Sequence, residues 1–234
     1  MMVEALVYFF VPALVGVLIG IASGLLGIGG GTVMVPIFRL AFGMSATMST
    51  ATSLFAIIPT SISGAISHVK GKTCIPALGI AAGLGGACLS PVGVWLAQLS
   101  PDWLVMLAAA LIIGYSAINM FKKAFKVSRA GQPATGVDAS ASSDDSPLSR
   151  KQLLQGAAIG LVAGLASGYV GVGGGFIMVP LMLSIIGIPM RKASGTSLIA
   201  VMILAIPGVI EQGIIGNINY LAGIAIVIGT IPGA

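Results

Sequence analysis

The chain has 234 residues, of which 57% are hydrophobic and only 7% charged, with a net charge of +5 and a mean hydropathy of +1.09. An ordinary soluble domain carries roughly 25% charged residues, so a soluble globular domain is excluded and an integral membrane protein remains. The basic residues gather in loops and form no basic face, which excludes a nucleic-acid partner and fits the bias of Lys and Arg toward cytoplasmic loops.

The apolar segments are long and lack strict alternation, so they read as helices and not as barrel strands. Met1 to Glu4 has no basic region; the run after it, about Ala5 to Leu26, is expected to be a retained first helix and not a cleaved signal peptide. A glycine-rich break follows at Gly27 to Gly31. The next segment, about Thr32 to Phe42, rises only about 16 Å against a hydrocarbon core of about 30 Å. Further helices are expected over about Ala46 to Ser67, Cys74 to Leu99 and Pro101 to Phe121. Cys74 and Cys88 share one apolar segment and read as two buried thiols. His68, alone at a helix end, reads as interfacial packing.

Composition then changes. Lys122 to Lys151 is rich in Ser, Ala, Gly and Asp with bases at both ends, the pattern of a flexible linker. Helices are expected again over about Leu153 to Val170, Phe176 to Ile186 and Arg191 to Ile215, with another starting near Asn219 and cut off at Ala234. The domains expected are a first transmembrane repeat, 1–121, a cytoplasmic linker, 122–151, and a second, C-terminally incomplete repeat, 152–234.

The word "repeat" rests on one stretch. Gly20 to Pro36 reads GIASGLLGIGGGTVMVP, and Gly164 to Pro180, 144 positions on, reads GLASGYVGVGGGFIMVP. The offset persists: Thr52-Ser53-Leu54 matches Thr196-Ser197-Leu198, and Gly64 matches Gly208. A constant offset over such a distance indicates internal duplication. Five segments per half would invert the second half relative to the first, as in many secondary transporters. That orientation puts Lys70, Lys72, Arg191 and Lys192 inside, with Asp102 and Glu211 outside and only Arg39 in disagreement. A re-entrant second segment would make the repeats parallel and put Arg191 and Lys192 outside, so the charge rule favours inversion. The fold class expected is all-α: a polytopic membrane protein of two homologous helical repeats, inverted, each with a glycine-rich helix break.

Those breaks are the candidate site. A glycine in a helix interior costs about 1 kcal/mol relative to alanine, and unpaired backbone in hydrocarbon costs several kcal/mol per group. Such a break persists where protein or a cavity covers it. The helix that restarts presents free N–H groups and a partial positive charge, able to hold an oxyanion. The residues expected to contact substrate are Gly27, Gly29, Gly30 and Gly31 with Thr52 and Ser53, and Gly171, Gly173, Gly174 and Gly175 with Thr196 and Ser197. Hydroxyls donate to an anion without carrying charge through the bilayer. Packing glycines and hydroxyls bonded to the preceding turn are the competing reading; duplication at symmetric places weighs against it. One His, two Cys and few acids leave no nucleophile with its base and no metal cluster, so no enzyme, metal or cofactor is expected.

The doubled Gly-Gly-Gly stretch with Met-Val-Pro downstream and Thr-Ser-Leu beyond resembles the TauE/SafE family of membrane permeases. The resemblance covers nearly the whole chain except the linker. It implies an anion permease of the inner membrane, handling sulfite, sulfonates or other small sulfur-containing anions, with Gly27, Gly29, Gly30, Gly31 and Pro36, and Gly171, Gly173, Gly174, Gly175 and Pro180, as motif positions. Its expected partners are a small anionic substrate and the lipid bilayer, with a homodimer open. The alternative is a non-transporting membrane subunit or a partner of a sensor.

Overall fold

A computed structural model describes residues 15–21, 23–24, 29–129 and 149–233. All regular structure among them is helical. Residues 15–21 are helical, and then come α1 (Gly31–Leu40), α2 (Ala46–Lys70), α3 (Pro76–Leu99), α4 (Asp102–Arg129), α5 (Arg150–Val170), α6 (Gly175–Leu181), α7 (Met190–Ile215) and α8 (Tyr220–Gly233). The chain of α6 passes directly into a wider π-helical turn, Met182–Ile186. Helices α2, α3, α5 and α7 are long and apolar enough to cross a bilayer. The protein is an all-helical, multi-pass membrane protein.

The expected first helix lies partly outside the described residues, as does Gly27. The expected linker is helical at both ends. Lys122 to Arg129 extends α4, and Arg150 with Lys151 opens α5. Lys and Arg are good helix formers, and basic residues suit the last turn of a helix; their charge alone does not mark a loop.

The chain is apolar outside, and its buried polar side chains sit within a largely apolar core. Trp95, Trp103, Tyr115, Leu154 and Ile214 are exposed, whereas Ser49, Thr50, Ser53, Thr60, Ser61 and Gln212 are fully buried. In water this arrangement would collapse; in lipid it is what the hydrocarbon selects. Cys88 is also exposed, on α3, and is not the buried thiol expected: α3 turns only one stripe inward, and position 88 falls off it. Cys74, between α2 and α3, is half-buried, and desolvation raises its pKa.

Glycines set the closest contacts. A β-carbon on Gly160, Gly164 or Gly168 of α5 would collide with the backbone of Ala82, Gly86 or Ser90 of α3. Spacings of four on both sides, rising together, make a parallel pair joined along a small-residue seam. Gly16 and Gly20 meet Ile226 and Thr230 of α8 in the same way. Each of these positions is 144 residues from its counterpart in the other pair.

Helices α2 and α7 form the centre and run antiparallel. Near the start of α2, the Thr52 hydroxyl accepts the N–H of Asn219, beyond the end of α7, at 3.0 Å. Near the start of α7, the Thr196 hydroxyl accepts the N–H of Ile75, beyond the end of α2, at 2.9 Å. The two bonds are again related by 144 positions. Each supplies a donor at the start of α3 or α8 with the acceptor it lacks.

Candidate functional site

Both breaks are closed by a glycine in the left-handed region. Gly30 has φ 75° and caps α1; Gly174 has φ 65° and caps α6. Their carbonyls each accept two amides, from Val33 and Met34 at 3.2 Å and from Ile177 and Met178 at 3.0 Å. Neither cap has a side-chain acceptor. The amides of Gly30, Gly173 and Gly174 donate to no partner among the described residues, whereas Gly175 gives its N–H to the Gly173 carbonyl at 2.7 Å.

The breaks touch. A β-carbon on Gly31 would lie 2.6 Å from the Val172 carbonyl oxygen, so only glycine allows this approach. Two side chains fill the junction. Ile57 of α2 abuts Gly29, Gly31 and Gly173, and Val201 of α7 abuts Gly29 and Gly173. Ile57 and Val201 lie 144 positions apart and close to the middle of their helices. Helix α2, about 37 Å long at 1.5 Å per residue, carries Ile57 at mid-height. Gly171 lies lower, against Thr50.

The hydroxyls divide into engaged and unengaged. Thr196 gives its proton to the Lys192 carbonyl at 2.6 Å while accepting from Ile75; no proton is left for an anion in this conformation. Thr52 accepts from Asn219. Ser197 donates to the Ser194 carbonyl at 2.7 Å. By contrast the buried hydroxyls of Ser23, Ser53, Ser61, Ser90 and Ser167 have no partner among the described residues. An unmade bond on a buried hydroxyl costs about 1–3 kcal/mol, so this set calls for a reason. Of the residues named from sequence, the structure brings Gly29, Gly31 and Gly173 together around Ile57, whereas Gly30 faces Ile19 and Met34, Gly171 faces Thr50, and Gly174 faces Ala163 and Leu204. Ser53 lies one turn from Ile57. Thr52 and Thr196 accept amides at the starts of α8 and α3.

Charge is kept to the two ends. Gly195 packs on His68 and on the Thr73 carbonyl, which puts Lys70 and Lys72 at the same end of the bundle as Arg191 and Lys192. At the opposite end Arg39 lies 3.7 Å from Asp102 and donates to the Met44 carbonyl at 2.6 Å. His68 is more than packing: its ring bridges the Gly24 carbonyl at 3.1 Å and the Thr73 hydroxyl at 2.7 Å.

Residues 12–234 match the family described as Sulfite exporter TauE/SafE. The chain belongs to this family. It is 26% identical over 230 residues to "Probable membrane transporter protein YunE" of Bacillus subtilis, covering 94% of this chain and 84% of the relative. It is 31% identical over 206 residues to a "Probable membrane transporter protein" of Haemophilus influenzae, covering 83% of this chain and 70% of the relative. Over 145 residues it is 29% identical to "Sulfite exporter TauE/SafE family protein 3" of Arabidopsis thaliana, covering 57% of this chain and 30% of the relative. No solved structure matches the chain. In this TauE/SafE chain Ser61, fully buried and near Gly29, is not among the residues named from sequence. A search guided by the duplication passes over it, because Ala205 stands at the equivalent position.

Proposed function

We propose that this chain is a secondary transporter moving a small sulfur-containing oxyanion, such as sulfite or a sulfonate, across the cell inner membrane. The observation that carries the reading is the junction: two helix breaks in contact at mid-height, with unpaired amides and unpaired buried hydroxyls around them. Partial positive charge from helix ends and neutral donors bind an anion without a buried cation. Such binding is weak enough to be released, as a carrier requires.

The halves are inverted repeats in this reading, with the site on their pseudo-two-fold axis. Support comes from the antiparallel central helices and from contacts that recur with the 144-residue offset. The end bearing Lys70, Lys72, Arg191 and Lys192 faces the cytoplasm. Arg39, the exception to that rule, is offset by Asp102 beside it. The bodies that rock against each other are then mixed pairs, α3 with α5 and the N-terminal helix with α8, because glycine seams bind them tightly. A membrane potential favours outward movement of an anion by about 2.3 kcal/mol per charge per 100 mV.

The junction is filled by Ile57 and Val201, and that single observation favours the alternative, a membrane subunit that transports nothing. Flux decides between them. Purified chain in liposomes is expected to move labelled sulfite in a panel with sulfate, thiosulfate and sulfonates, with and without a pH gradient. No flux above empty liposomes for any anion would leave the non-transporting subunit.

A further inference from the structure

We infer that Ser61 is a substrate-contact residue and that Ile57 is the plug it works beside; this rests on the anion-transport reading above. Ser53, Ile57 and Ser61 are four residues apart and so share one face of α2. All three are fully buried. Ile57 fills the junction between the breaks, and the Ser61 oxygen would lie 3.4 Å from a β-carbon on Gly29. The face therefore presents a hydroxyl, an apolar plug and a second hydroxyl, each step about 6 Å along the helix.

The state of those hydroxyls is what distinguishes them. A serine or threonine in a membrane helix ordinarily gives its proton to a carbonyl one turn back. Ser49, Thr50, Thr60, Thr196, Ser197 and Thr230 all do so. Ser53 and Ser61 do not, and neither has another partner among the described residues. Their protons are available on either side of Ile57. In α7 the equivalent face reads Ser197, Val201, Ala205: its first hydroxyl is engaged and its last is absent. Of the two central helices, it is α2 whose hydroxyls on this face stay unengaged. An oxyanion passing the junction exchanges one serine for the other as Ile57 moves aside, and Ser61 takes it at the end nearer the basic loops.

The test is Ser61→Ala in the full chain, reconstituted in liposomes, with labelled sulfite as the probe. The fit of alanine is not in question, since Ala205 occupies the matching place. The expected result is a rise in KM of about tenfold or more, the loss that follows removal of a hydrogen bond to a charged partner, with maximal flux little changed. Thermal stability in detergent should hold or rise, because an unsatisfied buried group is removed. An unchanged KM, or a fall in melting temperature accompanying the KM change, overturns the assignment while leaving anion transport intact. Absence of sulfite flux in the unmodified chain, alongside flux of another anion, moves the same measurement to that anion. Absence of all flux overturns both readings.

Discussion

The two glycine breaks share a motif and meet the same pair of side chains, yet they are built differently around it. The first is backed by Ser61 and runs into α1, a regular helix to Leu40. The second has alanine at the equivalent position and runs into a π-helical turn two residues after Pro180. There Ser184 donates to the Pro180 carbonyl at 2.7 Å, a bond that competes with the helix ladder and lets the turn widen; its counterpart, Leu40, cannot. The capping glycines and the Thr52 and Thr196 bonds recur at the 144-residue offset; Ser61 and the π-helical turn do not.

Valine at either capping glycine should have the largest effect. Gly30→Val and Gly174→Val are each expected to abolish anion flux. A non-glycine residue in this backbone region costs about 1–3 kcal/mol, and a branched one more. The two should differ in stability. A β-carbon on Gly30 lies 2.8 Å from the branch methyl of Ile19 and 3.2 Å from the flexible tip of Met34, both side chains, whereas on Gly174 it lies 3.0 Å from the Ala163 carbonyl oxygen, part of the backbone of α5. Gly174→Val should therefore melt lower. Normal transport by both variants would remove the amides from the site, and equal melting would show that the breaks are mechanically alike.

Removing the plugs comes next. Ile57→Ala should raise passive anion leak several-fold and lower stability by about 2–5 kcal/mol, the range for large-to-small changes in a packed interior. Val201→Ala should do less of both, because Val201 is smaller, whereas Ile57 is the nearest side chain to Gly31 and also abuts Gly29 and Gly173. A leak that is larger for Val201→Ala would move the plug to α7.

Helix order and positions were legible because hydrocarbon demands long apolar runs and because the repeated motif marks its own boundaries. The ends of α2, α3, α5 and α7 fall close to the expected places. What the sequence did not disclose was which helices pair. Gly156, Gly160, Gly164 and Gly168 look like an ordinary small-residue face; nothing local says that its partner is α3, from the other half. The same holds for Thr52 and Thr196. Their duplication marks them as important, but duplication is equally a signature of a cap exchanged between halves. Ser61 stayed hidden for the opposite reason, since asymmetry is invisible to a search built on symmetry.

Thr52→Ala and Thr196→Ala sharpen that point. Each should cost about 1 kcal/mol of stability, the usual value of a lost cap, and the double variant should lose close to the sum, within about 0.5 kcal/mol. Anion KM should change by less than about threefold, because neither lost bond reaches the junction. A tenfold rise in KM at constant melting temperature would return these hydroxyls to the substrate.

The smallest effect is expected at the acidic end of the bundle, where the halves differ because the second has leucine, at position 183, in place of Arg39. Asp102 does two things there: it lies 3.7 Å from Arg39 and accepts the first amide of α2, from Ala46, at 3.2 Å. The ion pair is solvent-exposed and contributes little, about 0–1 kcal/mol; the amide bond at a helix start adds about 1 kcal/mol. Arg39→Gln loses the bond to the Met44 carbonyl as well as the pair, so the two variants should lower stability by similar amounts. Part of each loss should persist at high salt, because salt screens the exposed pair and leaves the hydrogen bonds in place. Losses that vanish in high salt would mean that charge alone holds this end, and that neither hydrogen bond contributes.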